Sequence, residues 1–244
     1  MGPMAVHVLH LSDIHLTARP GARVYDQDAD ANLGRVVAAA RRRRERYDAV
    51  VVTGDVAEDA SPAAYERALA AVRPLADVFR WVPGNHDDRA AMAALDEEAL
   101  GPAMVGRWRL VTFDSQWPGH VPGRATAAAL ESLSAALAAG GGGPCAVALH
   151  HPPHAPCDHP GCRTIGVEPL RDALAASPDV RAVLSGHLHR SFVQSDGTGT
   201  TWAGAPSTCV QALHPSHVFT AEPPAAHTMT WHDDGTVLVA PIQA

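Results

Sequence analysis

The chain has 244 residues, 46% of them apolar, with 19 Lys+Arg against 26 Asp+Glu for a net charge of −7, and it carries 15 His but only 4 Cys. That is enough apolar material for a substantial core, which excludes a disordered or collagen-like chain, and too little cysteine for a disulfide scaffold. The acidic balance argues against a nucleic-acid polymer as partner. No run approaches the roughly 20 apolar residues of a membrane span, and the start lacks the charged and apolar regions of a leader, so a cytoplasmic protein without stable membrane insertion is expected.

In chain order, short apolar runs alternate with Ala-rich helical stretches. Val6 to Leu11, Ala49 to Thr53, Val78 to Val82, Leu110 to Phe113, Ala146 to Leu149 and Val180 to Leu184 read as buried strands. Helices are expected at about Ala29 to Arg46, Pro62 to Val72, Arg89 to Leu100, Ala125 to Ala138 and Pro169 to Ala175. After Ser191, strands are expected at Phe192 to Gln194, Thr201 to Ala203, His227 to Trp231 and Val237 to Val239, joined by Gly, Pro and Asp turns. The pattern is α/β, and without a linker or repeat a single domain over 1–244 is expected. Arg41 to Arg44 with Arg46 end a predicted helix, where cations complement its dipole and face water.

Five clusters share one position, the C-terminal end of a predicted strand: Ser12-Asp13-Ile14-His15, Gly54-Asp55, Gly84-Asn85-His86-Asp87, His150-His151-Pro152 and Gly186-His187-Leu188-His189. Ligands of α/β sheets bind at that edge. Carboxylates, an amide oxygen and imidazoles gathered there suit borderline divalent metals, and the absence of Cys from all five argues against a thiolate zinc site among them. Gly54, Gly84 and Gly186 let the backbone turn sharply as strands end.

The ordered series D-x-H, G-D, G-N-H-D, H and G-H-x-H resembles the signature of the calcineurin-like metallophosphoesterase superfamily. Val24 to Leu33 with Asp26, Asp28 and Asp30, Gly84 to Arg89, the His150 to Pro153 cluster and Ala205 to Gln211 resemble the bacterial class III cyclic nucleotide phosphodiesterases, over about residues 5 to 213. The resemblance implies a four-layer αββα sandwich of two mixed sheets flanked by helices. The C-terminal strands at 218–244 are expected to complete the second sheet or to form a contact in a homodimer.

It also implies a two-metal centre. Asp13, His15 and His189 would hold one metal, Asn85, His150 and His187 the other, and Asp55 would bridge them. Iron and manganese head the candidate metals, and zinc or cobalt also suit the donors. His150 rather than His151 fits the H-x-P pattern. His86 is the implied catalytic acid, with Asp87 orienting its ring or capping the following helix; Asn85, His86 and His189 would also touch substrate. The implied reaction is attack of a metal-bridging hydroxide on a 3′,5′-cyclic nucleotide to give a 5′-monophosphate. Glycerophosphodiesters or other small phosphoesters are the alternative substrates, and a non-catalytic scaffold is the alternative of another class.

One segment departs from the pattern. His154, Cys157, His159 and Cys162 follow the His150 cluster, and three readings are open for them: a substrate-covering lid, a small zinc site or a redox-sensitive disulfide. Ile165-Gly166 with Glu168 resembles the Ile-Gly-Leu-x-Asn region of cyclic nucleotide relatives, without its Asn. His214 and His217 are expected in a surface loop. His7, His10, His227 and His232 are expected to be structural, and Cys145 and Cys209 to be buried thiols.

Overall fold

Three apolar layers separate two sheets and their flanking helices in the computed structural model, which describes residues 5–154, 156–157, 159–195, 197–214 and 218–244. The strands of the two large sheets are β1 (Ala5–Leu11), β2 (Tyr47–Val52), β3 (Ala76–Trp81), β4 (Ala103–Val105), β5 (Trp108–Thr112), β6 (Cys145–Ala148), β7 (Val180–Ser185), β8 (Phe192–Ser195), β9 (Thr201–Gly204), β10 (Ala225–His232) and β11 (Val237–Gln243). The helices are α1 (Ala29–Arg43), α2 (Pro62–Val72), α3 (Arg89–Asp96), α4 (Ala127–Ala138) and α5 (Val167–Ala175).

The first sheet runs β11-β10-β1-β2-β3, with β1, β2 and β3 parallel and the last two strands antiparallel. The second runs β8-β9-β7-β6-β5-β4, parallel from β9 to β5 and closed at both edges by an antiparallel strand. Alternation along each strand explains the layering. In β1, Leu9 and Leu11 pack toward Leu33, Val36 and Tyr65 on the α1 and α2 side, whereas Val8 joins the layer between the sheets. That middle layer is built of small side chains, Ala49, Ala146, Ala148, Ala182 and Ala203, with Trp108 and Trp231 filling it at ring centroids 4.9 Å apart. On the far side, Val147, Leu149 and Val183 meet Leu133 and Leu137 of α4 and Leu170 and Leu174 of α5. The result is the expected αββα sandwich.

Helix starts follow local chemistry. Asp28 caps α1 by accepting from the Ala31 amide, Asp88 caps α3 and Thr126 caps α4. Arg41 to Arg44 with Arg46 are exposed at the end of α1, as expected. Two differences stand out. β4 was not anticipated, because a three-residue edge strand carries too little pattern. The C-terminal strands do not complete the second sheet: β10 pairs with β1 from Ala5↔His232 to His10↔His227, inserting Met229 and Trp231 into the middle layer from the first sheet's side. The apolar alternation of β10 specifies a half-buried strand but not which edge receives it.

His10 and His227 are cross-strand partners and fully buried, with His10 Nε2 2.9 Å from Thr53 Oγ1 and His227 Nε2 2.7 Å from Ser191 Oγ. Burial pushes both imidazoles down, His227 to about 4, and the proximity of His227 adds to the effect on His10. Below the unfolded-state value near 6.5 the unfolded chain takes up protons that the folded chain does not, so stability falls as pH drops from there toward the folded values. Urea unfolding at pH 7.5 and 5.5 should show this loss, and His227→Gln should reduce it by about 1 kcal/mol. An identical pH dependence in the variant would mean that His227 does not remain neutral in the fold.

Candidate metal centre

The loops leaving β1, β2, β6 and β7 lock into one another at the sheet edges. Asp13 and His15 donate their amides to Gly54 O and Asp55 O at 3.0 and 2.9 Å, and Leu16 donates to Val56 O at 3.0 Å. From the second sheet, Gly186 N reaches His150 O at 3.0 Å and His187 N reaches Asp13 Oδ1 at 3.1 Å. The Ala205 to Gln211 segment supports the same point from beneath, since Ser207 Oγ donates to Asp13 O at 2.9 Å. These contacts bring four of the motifs to a common centre, and the His86 amide, which donates to Asp55 Oδ1 at 2.9 Å, ties in the fifth.

Two glycines are required sterically. A Cβ on Gly84 would lie 2.2 Å from Asp55 Oδ1, and one on Gly54, whose φ is +88°, would lie 2.5 Å from His150 Nδ1. Asp13, His15, Asp55, His187 and His189 all adopt positive φ, between 49° and 70°. Non-glycine residues rarely hold that conformation without a functional constraint, so its concentration in three of the five motifs marks the centre.

Asp13, His15, Asp55 and His189 bring one ligand atom each to within 4.8 Å of the others, and all four are buried. The Nε2 atoms of His15 and His189 lie 3.1 Å apart. His15 Nδ1 faces Glu58 Oε2 at 2.8 Å and His189 Nδ1 faces Val210 O at 2.8 Å; both partners only accept, so both Nδ1 atoms carry hydrogen. The two Nε2 atoms are thereby turned toward each other and toward Asp13 and Asp55, where both can serve as electron-pair donors to a cation once no proton lies between them. Beside this group, His150 Nδ1 donates to Thr53 O at 2.6 Å, which turns its Nε2 toward Asn85 Oδ1 at 3.2 Å and Asp55 Oδ2 at 3.4 Å. Asp55 Oδ2 is also 3.9 Å from His15 Nε2. One carboxylate oxygen thus stands between the two imidazole groups.

His187 lies beside His150, ring centroids 5.1 Å apart, and its Nε2 donates to Gly161 O at 2.8 Å, leaving Nδ1 as the donor atom. His151, although adjacent, has Ser115 Oγ at 2.9 Å from Nδ1 and Val121 O at 3.1 Å from Nε2, so both ring nitrogens are engaged by protein. That chemistry favours His150 over His151 as the ligand, in line with the H-x-P reading.

The electrostatics reflect unneutralised carboxylates. Burial opposes ionisation of Asp55, yet His150 and then His15 and His86 hold its carboxyl well below the usual range. Burial lowers the His150 imidazole, but Asp55 outweighs it and pushes the value up to about 9. His187 is lowered to about 4 by burial and then by the charge of His150. A set of donors that pulls protons onto one imidazole and off its neighbour is suited to cations, and the oxygen and nitrogen donors fit two borderline metals.

Three residues correct the sequence reading. Asp87 neither contacts His86 nor caps α3; its carboxylate turns back to accept from Val56 N, Ala57 N and Gly84 N at 3.1, 3.0 and 2.8 Å, amides that have no strand partner. The carboxylate facing His86 is Glu58, with Oε2 3.3 Å from His86 Nδ1 and 2.8 Å from His15 Nδ1. No motif flagged Glu58; it arrives because its amide pairs with Leu16 O at 2.7 Å across the interlocked loops. His214 is not a plain surface residue: it is half-buried and its Nε2 donates to Leu188 O at 2.6 Å, while His217 lies outside the described residues. Gln116, also unflagged, fixes the Gly84–Asp87 turn by donating to Gly84 O at 2.7 Å and Asp87 O at 2.5 Å. Cys145 and Cys209 are buried thiols, as expected. Among the described residues, no helix is long and apolar enough to cross a membrane.

Comparison with known proteins gives the same family. A 3′,5′-cyclic adenosine monophosphate phosphodiesterase CpdA of Pseudomonas aeruginosa is 37% identical over 239 residues, spanning 95% of this chain and 87% of the relative. A cAMP/cGMP dual specificity phosphodiesterase of Mycobacterium tuberculosis is 35% identical over 84% of this chain and 66% of its own length. A dimetal phosphatase from Danio rerio shares the fold at a TM-score of 0.68 and 16% identity, with 98% of each chain covered. The family model described as Calcineurin-like phosphoesterase matches residues 6–191, so with the motifs converged on one centre this chain is an enzyme of the calcineurin-like phosphoesterase family.

Proposed function

We propose that the protein is a dinuclear phosphodiesterase that hydrolyses 3′,5′-cyclic nucleotides of the cAMP type to 5′-monophosphates. The observation that carries the reading is Asp55 Oδ2, set between His15 Nε2 and His150 Nε2, the position of a ligand shared by two cations. The cyclic nucleotide comes from the two relatives named above, each with a printed cAMP activity. Asp13, His15 and His189 would hold the first metal, Asn85, His150 and His187 the second, and Asp55 both. Iron or manganese is the proposed occupant. When bound, the pair supplies charge to offset the phosphodiester and an activated water to attack it.

The chain's own groups do the rest. Glu58 accepts from His15 Nδ1 and fixes the ring whose Nε2 faces His189. It also engages His86 Nδ1, while the His86 amide donates to Asp55 Oδ1 at 2.9 Å, so backbone and side chain of His86 are both tied to the centre. His86 is half-buried, and its Nε2 is the nitrogen left to give a proton to the departing 3′ oxygen. A cleft of about 640 Å³ opens beside Asn85, lined by Arg89, Asp114, Gln116 and Thr126, with room for a nucleotide.

Glu58→Gln should weaken metal retention or turnover by about 10- to 100-fold, because a neutral amide oxygen accepts more weakly than the carboxylate and brings no charge to raise the basicity of the His15 ring. Metal titration with kcat measured at saturating metal separates the two effects. Wild-type values for both would remove Glu58 from the site. The function itself is tested by kcat/KM after Mn²⁺ reconstitution on cAMP, cGMP, 2′,3′-cAMP, bis-p-nitrophenyl phosphate and glycerophosphodiesters. Preference for 3′,5′-cyclic nucleotides is expected; preference for a glycerophosphodiester would overturn the substrate assignment.

A further inference from the structure

A second cluster of metal-binding side chains lies outside the centre described above. Cys157, Cys162 and His214 bring their sulfur and nitrogen atoms to within 4.8 Å of one another. Cys162 is buried, and Cys157 and His214 are half-buried. The histidine comes from a segment 52 residues beyond Cys162, so chain proximity does not explain the grouping. His214 donates from Nε2 to Leu188 O, which makes Nδ1 the lone-pair nitrogen, and Nδ1 is the atom placed 4.0 Å from Cys162 Sγ. The two histidines nearest in sequence are not in the cluster. His159 Nδ1 accepts from Gly161 N at 3.1 Å, and His154 packs edge-on against Trp202 at 4.4 Å between centroids.

We propose that Cys157, Cys162 and His214 form a separate zinc site with a structural role. Two soft sulfurs and one imidazole match the preference of Zn²⁺, in contrast to the oxygen and nitrogen donors of the phosphoesterase centre, and water or one further group completes a tetrahedron. Binding releases the two thiol protons to solvent, and both thiolates and the imidazole donate electron pairs to the metal. Two thiolates and one Zn²⁺ sum to zero charge, so the site adds no field to the neighbouring phosphate-binding centre.

Its position gives it a task. The Cys162 turn supplies Gly161 O, which receives His187 Nε2 at 2.8 Å, and His214 holds Leu188 O at 2.6 Å. Both segments joined by the zinc therefore grip the His187-Leu188-His189 loop. The zinc would cross-link them and fix the orientation of His187 through Gly161. This inference goes beyond the proposed reaction and does not depend on it.

The test is zinc release from the full chain, purified without chelator. Titration with a mercurial reagent in the presence of a metal-sensitive dye should release one Zn²⁺ per chain as two thiols react. Cys157→Ser with Cys162→Ser should release none, and His214→Ala should lose its zinc to a chelator that leaves the wild type loaded. Asp55→Asn, which removes the shared ligand of the other centre, should still release one equivalent. In Co²⁺-substituted protein, thiolate-to-metal absorption should vanish with the cysteines. Equal zinc release from the double serine variant, a folded reduced wild type that takes up no thiol-bound Zn²⁺ or Co²⁺, or a Cys157–Cys162 disulfide in the purified protein would each overturn the proposal.

Discussion

Replacing His86 with alanine is expected to lower kcat on a 3′,5′-cyclic nucleotide by about 10²- to 10⁴-fold, the usual contribution of a positioned general acid. The ring is not among the proposed metal donors, so metal content should not change. Bis-p-nitrophenyl phosphate provides the internal control, since p-nitrophenolate departs without being protonated. The His86→Ala loss on that substrate should be far smaller than on an alkoxide leaving group. Equal losses on the two substrates would remove the proton-donor role and leave His86 as an electrostatic or structural group. The contacts to Glu58 and to Asp55 Oδ1 make the ring's place depend on residues from the β2 loop, not on its own turn alone.

Asp55→Asn should abolish measurable hydrolysis and strip both metals of the phosphoesterase centre. The substitution keeps the shape of the side chain and removes one negative charge where two cations are proposed to meet. Without metal, that charge draws a proton to His150, whose value is pushed up to about 9, the same attraction that a cation would use in its place. Without it, His15 Nε2 and His150 Nε2 lose the one anionic oxygen that lies near both, and less is left to attract a cation. Metal content by mass spectrometry and activity with added Mn²⁺ are the readouts. Full activity recovered at modestly higher Mn²⁺ would show that the shared carboxylate is dispensable, and the two-metal assignment would fail with it.

The strand ends that carry the motifs were legible because each closes a short, mostly apolar run that gives way to polar residues and Gly, a contrast of burial and polarity that survives without any tertiary information. Whatever depended on which loops meet was not. Glu58 has no neighbouring motif, and its function follows from the Glu58 N to Leu16 O pairing between two loops 42 residues apart. Asp87 sits inside a motif, and motif logic pointed it at His86, whereas three backbone amides claim its carboxylate. The β10 strand was visible by alternation, but sheet membership is a property of the whole middle layer, where Trp231 finds Trp108. His214 was separated from the cysteines it joins by α5, β7, β8 and β9.

The left-handed backbone at Asp13, His15, Asp55, His187 and His189 has a further consequence, for descent. Each such residue costs of order 1 kcal/mol or more relative to an unstrained alternative, and that cost is tolerated only while the side chain is needed. A lineage that abandoned catalysis would gain stability by drifting to glycine or asparagine at these five positions. Relatives without activity are therefore expected to lose Asp and His at these five positions before they lose the fold.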